Sequence, residues 1–216
     1  MNRSSLQSGF TLIEMIVSLA VFSSVITIAV GALLVLVASN EQLQGEQSVM
    51  TNLSFALDSM TREIRTGTDY YCRSYSNYNA SGPNNIFENG NDLDGILNGL
   101  TLDCAGKSNV NWNLHGMSFV EGGNSISGGN DRIAYFFDQT TGQIFRRIGT
   151  GDRVPIVSSG IFINKMDFYV TGSDPQSTGG LDQASVTVYI EATEKNDPTA
   201  KVYQIQTTIT QRTLDI

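Results

Sequence analysis

The sequence predicts an α+β protein in which one long N-terminal helix precedes an antiparallel sheet. Three features support this prediction: an apolar run over residues 10–38, an amphipathic segment over 39–66, and alternating strands in the C-terminal half. Strands that follow a helix, instead of alternating with helices, form antiparallel sheets. The apolar stripe of the 39–66 segment is the available cover for such a sheet, so the two are expected to pack together.

A single helix is expected to run from about Phe10 to Thr66. Its first part, residues 10–38, exceeds the roughly 20 apolar residues that span a bilayer, and it is expected to be the transmembrane and assembly part of the helix. Gly31 and Gly45 lie within the helix and are candidate positions for bends, because glycine weakens a helix by about 1 kcal/mol relative to alanine.

The second part of the helix, residues 39–66, is expected to pack on the head. Its apolar residues recur at steps of seven, three and four, which predicts one buried stripe composed of Leu43, Met50, Leu53, Leu57, Met60 and Ile64. Gly67 follows the last stripe residue and is expected to end the helix in a left-handed cap. Arg62 and Arg65 are placed to interact with the negative end of the helix dipole.

Residues 67–216 are expected to form one globular α+β head. Residues 68–130 are rich in Asn, Gly and Ser and show no sustained period, which predicts a long irregular region. The sheet is expected over 132–212. The segments RIAYFFD and QIFRRIG flank the turn QTTG and predict a hairpin. Three further strands are expected in IFINKMDFYV, ASVTVYIEA and VYQIQTTIT.

The N-terminal junction reads GFTLIE from Gly9 to Glu14 and follows a short polar leader, residues 1–9. A conventional secretory signal is cut after its apolar region, whereas a cut before Phe10 would leave the apolar helix attached. Glu14 is the only charged residue in the apolar run, and such a residue inside a membrane segment usually has a partner. An uncleaved single-pass anchor is the alternative interpretation.

This junction resembles the class III leader of type IV prepilins. In that family a Gly precedes the cut, a Phe becomes the N-terminus and a Glu is the fifth mature residue; Gly9, Phe10 and Glu14 match these positions. The resemblance implies a pilin-like fold, cleavage between Gly9 and Phe10 by a prepilin peptidase, and N-methylation of Phe10. It also implies that Glu14 pairs with the freed amine of a neighbouring subunit.

The resemblance further implies where the protein resides and what it contacts. A prepilin is a single-pass inner (cytoplasmic) membrane protein with an extracytoplasmic head, held in the lipid bilayer before it enters a cell-surface or periplasmic filament. The implied partners are the prepilin peptidase, other pilin or pseudopilin subunits and an inner-membrane assembly platform.

A second resemblance concerns the stretch from Arg132 to Val170, which is similar to J-type minor pseudopilins of type II secretion and W-type minor pilins. It implies a subunit that primes or caps assembly of a type IV pilus-like or type II secretion filament. The major pilin is one alternative. A surface-displayed adhesin or receptor with its binding site in residues 68–130 is the other. The tyrosines of that region are either a contact surface or plain packing: Tyr70, Tyr71, Tyr75 and Tyr78.

Cys72 and Cys104 are expected to form a disulfide. A head exported across the membrane reaches a compartment where disulfides persist, and the chain has only these two cysteines. Two free buried thiols are the alternative.

The remaining composition argues against other classes of protein. The formal net charge of −8 is a poor match for nucleic acid, which is bound through Lys and Arg on phosphates, so no nucleic-acid partner is expected. The nearest approach to a basic cluster in the sequence is a set of four arginines, which are expected to be solvated strand side chains: Arg132, Arg146, Arg147 and Arg153. No enzyme activity, cofactor or catalytic residue is expected. His115 has no nucleophile motif beside it.

The acidic residues also lack the spacing of a catalytic or metal site. Asp167, Glu191 and Glu194 are scattered among polar strand ends and are expected to be solvated. Asp92 and Asp94 resemble a fragment of a calcium loop, but the spacing of the other ligands is wrong. No metal site is therefore expected.

Overall fold

The computed structural model describes residues 9–74, 87, 92–97, 99–105, 114–123, 131–174, 182–195 and 201–212. The chain divides into two compact units, Met1–Gly45 and Glu46–Ile216. Helix α1 spans Leu12–Thr66, so its expected start was two residues too early and its expected end was correct. The helix assignment is uninterrupted at Gly31 and Gly45, although glycine disfavours helix at both positions.

The buried stripe of α1 differs from the predicted one at its N-terminal end. Its members are Val49, Leu53, Ala56, Leu57, Met60 and Ile64. Leu43 and Met50, which the sequence analysis included, are 50% and 42% exposed. Each residue turns about 100° around the helix axis, which places Val49 inside the buried arc and Met50 at its edge. Apolar spacing alone did not distinguish these neighbours.

Nine strands among the described residues form two antiparallel sheets, where the sequence predicted one. The five-stranded sheet has the order β1-β3-β4-β5-β6 and the four-stranded sheet has the order β2-β7-β8-β9. The strands are β1 (Thr68–Ser74), β2 (Cys104–Ala105), β3 (Leu114–Val120), β4 (Arg132–Asp138), β5 (Gln143–Ile148), β6 (Val154–Pro155), β7 (Ile161–Thr171), β8 (Ser185–Glu194) and β9 (Tyr203–Thr210). The predicted hairpin is β4–β5, and the three further predicted strands are β7, β8 and β9.

Three of these strands, β1, β2 and β3, lie within residues 68–130, which were expected to be irregular. Strands β1 and β3 pair with each other, and β3 also pairs with β4 over its whole length. A short helix, α2 (Leu93–Ile96), lies in the same region. The sequence did not reveal β1 and β3 for two reasons. The two strands pair with each other across more than 40 residues of chain, and neither alternates regularly between apolar and polar residues.

One large core lies between α1 and both sheets. The stripe of α1 packs with inward side chains of the five-stranded sheet, such as Phe119 and Tyr135, and of the four-stranded sheet, such as Met166 and Val188. This arrangement of a long helix on antiparallel sheets confirms the predicted α+β class and is consistent with a pilin-like fold.

A second, smaller core covers the opposite face of the five-stranded sheet. Phe87, Leu93 and Leu97 pack there on strand residues that include Phe136 and Phe145. Both faces of β4 are therefore covered, and all seven of its residues are buried. The sequence gives no sign that Phe87, Leu93 and Leu97 cover this face of the hairpin.

The end of α1 does not use the predicted left-handed cap. Gly67 has no positive φ; a Cβ there would come within 2.4 Å of the Phe119 ring, so the glycine permits close packing. Donors from elsewhere in the chain satisfy the terminal carbonyl groups of the helix. The Tyr70 hydroxyl lies 2.6 Å from the Ile64 carbonyl oxygen, and the Arg212 amide donates to the Arg65 carbonyl at 2.8 Å.

An ion pair joins α1 to the five-stranded sheet beside the main core. Glu63 accepts hydrogen bonds from the Tyr135 hydroxyl at 2.7 Å and from Arg146 Nε at 2.9 Å. A second nitrogen of Arg146 lies 2.9 Å from the other Glu63 oxygen, and both side chains of the pair are about one quarter exposed. Burial raises the pKa of Tyr135, and Glu63 raises it further. Burial by itself would lower the pKa of Arg146. The hydrogen bond and the charge of Glu63 together have the larger effect, so the pKa of Arg146 is raised.

Replacing Glu63 by alanine should destabilise the head by roughly 2 kcal/mol, between the effects of exposed and fully buried pairs. The change leaves Arg146 and the Tyr135 hydroxyl without this acceptor. Denaturant unfolding of the full chain in detergent measures the effect. Asp58→Ala is a matched control on the same helix, because Asp58 pairs at 2.8 Å with Arg62 in an exposed position. Equal effects of the two substitutions would contradict the prediction.

Candidate functional site

The candidate site is the N-terminal junction, where Thr11 and Glu14 form the start of α1. The Glu14 amide donates to Thr11 Oγ1 at 3.4 Å, and the Thr11 amide donates to Glu14 Oε2 at 3.5 Å. This reciprocal pair is a capping box, which satisfies donors that the first helical turn leaves free. The spacing T-x-x-E is the sequence signature of this box, whereas the partner expected for Glu14 lay in another subunit.

Gly9 and Phe10 precede the helix in irregular backbone. Phe10 is 80% exposed, and a Cβ placed on Gly9 would meet no atom within 4 Å. The structure thus places the three motif positions, Gly9, Phe10 and Glu14, together on an accessible stretch at the start of the chain. Residues 1–8 of the leader lie outside the described residues.

The first half of α1 carries its apolar side chains on the surface. Large apolar residues throughout its first 26 positions, from Leu12 to Val37, are at least 43% exposed, including Val21, Ile28 and Val35. By length and composition α1 is long and apolar enough to cross a membrane. Water disfavours so much exposed apolar surface, whereas a lipid interior accommodates it.

Cys72 and Cys104 form the predicted disulfide, with a Cα–Cα distance of 5.6 Å. The bond joins β1 of the five-stranded sheet to β2 of the four-stranded sheet. Main-chain hydrogen bonds strengthen the same link, since the Cys72 amide donates to the Leu102 carbonyl and the Leu102 amide donates to the Tyr70 carbonyl. The disulfide therefore holds the two sheets together at the point where the chain passes between them.

The prediction of solvated arginines is wrong for the strand arginines of the five-stranded sheet. Arg132 and Arg147 are 0% and 1% exposed. Arg132 donates to the carbonyl oxygens of Asp69 at 2.8 Å and Leu100 at 3.1 Å. Asp69 has a positive φ of 51°, a conformation that aspartate tolerates better than most residues.

Burial lowers the pKa of both arginines, and neighbouring carboxylates partly offset this effect. These side chains lie on the face covered by the second core, which the sequence did not indicate. The other two arginines are partly buried in ion pairs: Arg146 with Glu63, and Arg153 with Asp138 at 3.3 Å.

Asp92 and Asp94 have structural partners in the fold. Asp92 caps α2 by accepting a hydrogen bond from the Gly95 amide at 3.0 Å. Asp94 accepts one from the Arg132 amide at 2.7 Å. Burial raises the pKa of Asp94 despite that bond, and the charges of Asp131 and Asp92 add to the rise. Within the described residues, no group of three or more His, Cys, Asp or Glu side chains could hold a metal ion.

Among the scattered carboxylates, Asp167 is not solvated as expected. It is buried and pairs with Lys165 at 2.9 Å, and this hydrogen bond raises the pKa of the lysine. Glu191 is partly buried and accepts hydrogen bonds from Tyr189 and, at 3.3 Å, from Gln204. Glu194, at the end of β8, is also partly buried. Asp167 and Glu191 thus have partners on their own strands, Lys165 and Tyr189, and Glu191 also has Gln204 opposite it on β9.

The remaining candidates are packing residues or lie outside the described residues. Tyr70 is 1% exposed and belongs to the main core, and Tyr71 packs against the second core. Tyr75 and Tyr78 lie outside the described residues, as does the side chain of His115. The backbone of His115 pairs with Ser74 and Phe137 within the five-stranded sheet.

Residues 4–30 match the family model of the prokaryotic N-terminal methylation motif. This is the type IV prepilin leader motif, so the match supports the predicted leader and a pilin or pseudopilin subunit. The leader implies processing by a prepilin peptidase and assembly with other pilins. Together with the apolar half of α1, it is consistent with a membrane-anchored protein. Comparison with the curated proteins and with the solved structures found no match.

Proposed function

We propose that this chain is a minor pilin or pseudopilin that primes or caps a type IV pilus-like or type II secretion filament. The observation that carries the proposal is the leader motif at Gly9, Phe10 and Glu14, joined to an exposed apolar helix and matched over residues 4–30. The family that carries this motif is structural, and the role proposed here is assembly, not catalysis.

In the proposed sequence of events, a prepilin peptidase cuts between Gly9 and Phe10 and the new amine of Phe10 is methylated. The accessible backbone at Gly9 supports this step, because a peptidase needs to reach the bond. The head of the processed chain lies outside the cytoplasm, and α1 holds the chain in the inner membrane until it enters the filament.

Glu14 is proposed to pair with the Phe10 amine of a neighbouring subunit during assembly. Its contact with the Thr11 amide, at 3.5 Å, is at the long end of the hydrogen-bond range, so little is lost when the carboxylate turns to a charged partner. A carboxylate and an amine attract strongly in a medium of low dielectric, and each would otherwise be uncompensated there.

Glu14→Ala should leave processing and head folding intact and sharply reduce incorporation into filaments. Immunoblots of sheared filaments and of the membrane fraction measure the distribution, and the membrane pool should rise. Glu14→Gln is the matched control for the capping box, because an amide oxygen can still accept the Thr11 hydrogen bond. If Glu14→Gln assembles normally, capping and not charge is the role of Glu14.

The assignment as a minor subunit rests on the head. A five-stranded sheet, a four-stranded sheet and a second core form a bulky head for tight helical packing of many copies. Quantitative proteomics of sheared filaments tests this assignment. This chain should be far less abundant than the major subunit, and deletion of its gene should reduce filament number. Dominant abundance would make it the major pilin.

A structural role is favoured over an adhesin or receptor by the described part of residues 68–130. Its apolar side chains Phe87, Leu93 and Leu97 pack on the chain's own five-stranded sheet. Arg132 binds the backbone of the same region at Leu100. These contacts use the region as a cover for the sheet.

A further inference from the structure

Among the described residues, the outer edge of β9 in the four-stranded sheet is unpaired along the whole strand. Tyr203 to Thr210 pair with β8 in continuous register, from Tyr203 opposite Ala192 to Thr210 opposite Ser185. No other described strand pairs with β9. The strand reads YQIQTTIT and contains neither a charged residue nor a proline. Its outer edge therefore presents backbone donors and acceptors for a further strand.

The other sheet edges formed by described residues are protected in ways that natural proteins use against strand addition. Strands β6 and β2 are two residues long, and β6 contains Pro155. The part of β7 that β2 leaves unpaired carries Lys165 and a register shift between Ile163 and Lys165. The outer edge of β1 is occupied near its centre by Leu102, which exchanges main-chain hydrogen bonds with Tyr70 and Cys72. Short edges, proline and covering segments all block pairing, and β9 has none of these devices.

The side chains of β9 also favour strand addition. Its outward row is polar, uncharged and exposed, and consists of Gln204, Gln206, Thr208 and Thr210. On the inward side, Tyr203 and Ile205 touch the main core but are only partly buried. An added strand with apolar residues on the inward side would complete their burial, while its main chain would supply the hydrogen bonds.

The direction of β9 excludes one obvious partner. Lys201, just before the strand, pairs with Glu46 at 2.6 Å, and the Arg212 amide after it donates to the Arg65 carbonyl. The strand therefore runs in the same direction as residues 46–65 of α1. Two copies joined by antiparallel β9 strands about a two-fold axis would have these helix segments antiparallel. In the proposed filament all subunits share one direction, so a two-fold pair with antiparallel 46–65 segments does not fit it.

We infer that β9 receives an extended segment of a different pilin-like subunit as an added antiparallel strand. This inference rests on the proposed function. The segment that fits is uncharged and alternates apolar and polar residues, matching the pattern of β9. An antiparallel orientation of the added strand is favoured, because antiparallel strand pairs are slightly more stable per residue than parallel ones.

Photo-crosslinking of the full chain in its native host tests the inference. A benzoylphenylalanine in place of Gln206, at the middle of the open edge, should crosslink to a strand of another pilin-like subunit, identified by mass spectrometry. The same probe in place of Asn164, exposed on β7 of the same sheet, is the control and should not give that product. Crosslinks to a second copy of this chain, or none to any protein, would overturn the inference.

Charged substitutions provide an independent measurement. The double variant Gln206→Lys/Thr210→Lys places two cations on the edge and should abolish co-purification of the partner. Asn164→Lys/Thr171→Lys adds the same charges at exposed positions of β7 and should retain it. Equal retention in both variants would contradict strand addition. Leader cleavage is scored by mass spectrometry in each sample: an uncleaved leader counts against the proposed function, whereas a processed chain without the β9 crosslink counts only against the strand addition.

Discussion

Replacing Gly9 by leucine should leave the leader attached and the precursor in the membrane. A Cβ at this position meets no described atom within 4 Å, so the head and the helix should fold unchanged. The effect would arise in the peptidase, which must accommodate the residue before the cut. Mass spectrometry of the membrane fraction should detect intact Met1 in the variant and an N-terminal methylated Phe10 in the parent chain.

The matched control is Gly31→Leu, because Gly31 also has open space around a Cβ and lies in the same apolar helix. Leader cleavage should proceed in that variant. Processing of Gly9→Leu at the parent rate, or an intact leader on chains recovered from filaments, would refute cleavage between Gly9 and Phe10.

Removing the disulfide with Cys72→Ala/Cys104→Ala should lower the free energy of unfolding of the head by about 3 to 4 kcal/mol. The bond closes a loop with a sequence separation of 32, and the chain-entropy model gives this magnitude for such a loop. This loss of stability should affect the whole head, because the bond joins its two sheets. Denaturant unfolding of the full chain in detergent, under oxidising conditions, measures it.

Treatment of the parent chain with a reductant provides the control, since it removes the crosslink without changing a side chain. Its unfolding curve should then approach that of the double variant. A difference below about 1 kcal/mol between the oxidised parent and the double variant would show that the loop is already constrained without the bond.

The long helix and its leader could be predicted from sequence because their signals are local. A continuous apolar run, an amphipathic stripe and the motif at Gly9 to Glu14 each lie within a few turns of chain. The hairpin β4–β5 and the strands β7, β8 and β9 were predicted for the same reason, since alternation and turn residues are short-range features. The disulfide was predictable because the chain offers only one pair of cysteines.

The sequence by itself thus determined the α+β class, the leader motif, the helix and the C-terminal strands. Only the tertiary structure decided that there are two sheets, that β1 and β3 belong to one of them, and that Arg132 and Arg147 are buried. Strand pairing and burial depend on segments far apart in the chain, such as Leu100 beside Arg132. The physical reason is that a buried charge is stable only where hydrogen-bond acceptors or opposite charges surround it, and for Arg132 these come from residues far away in the sequence.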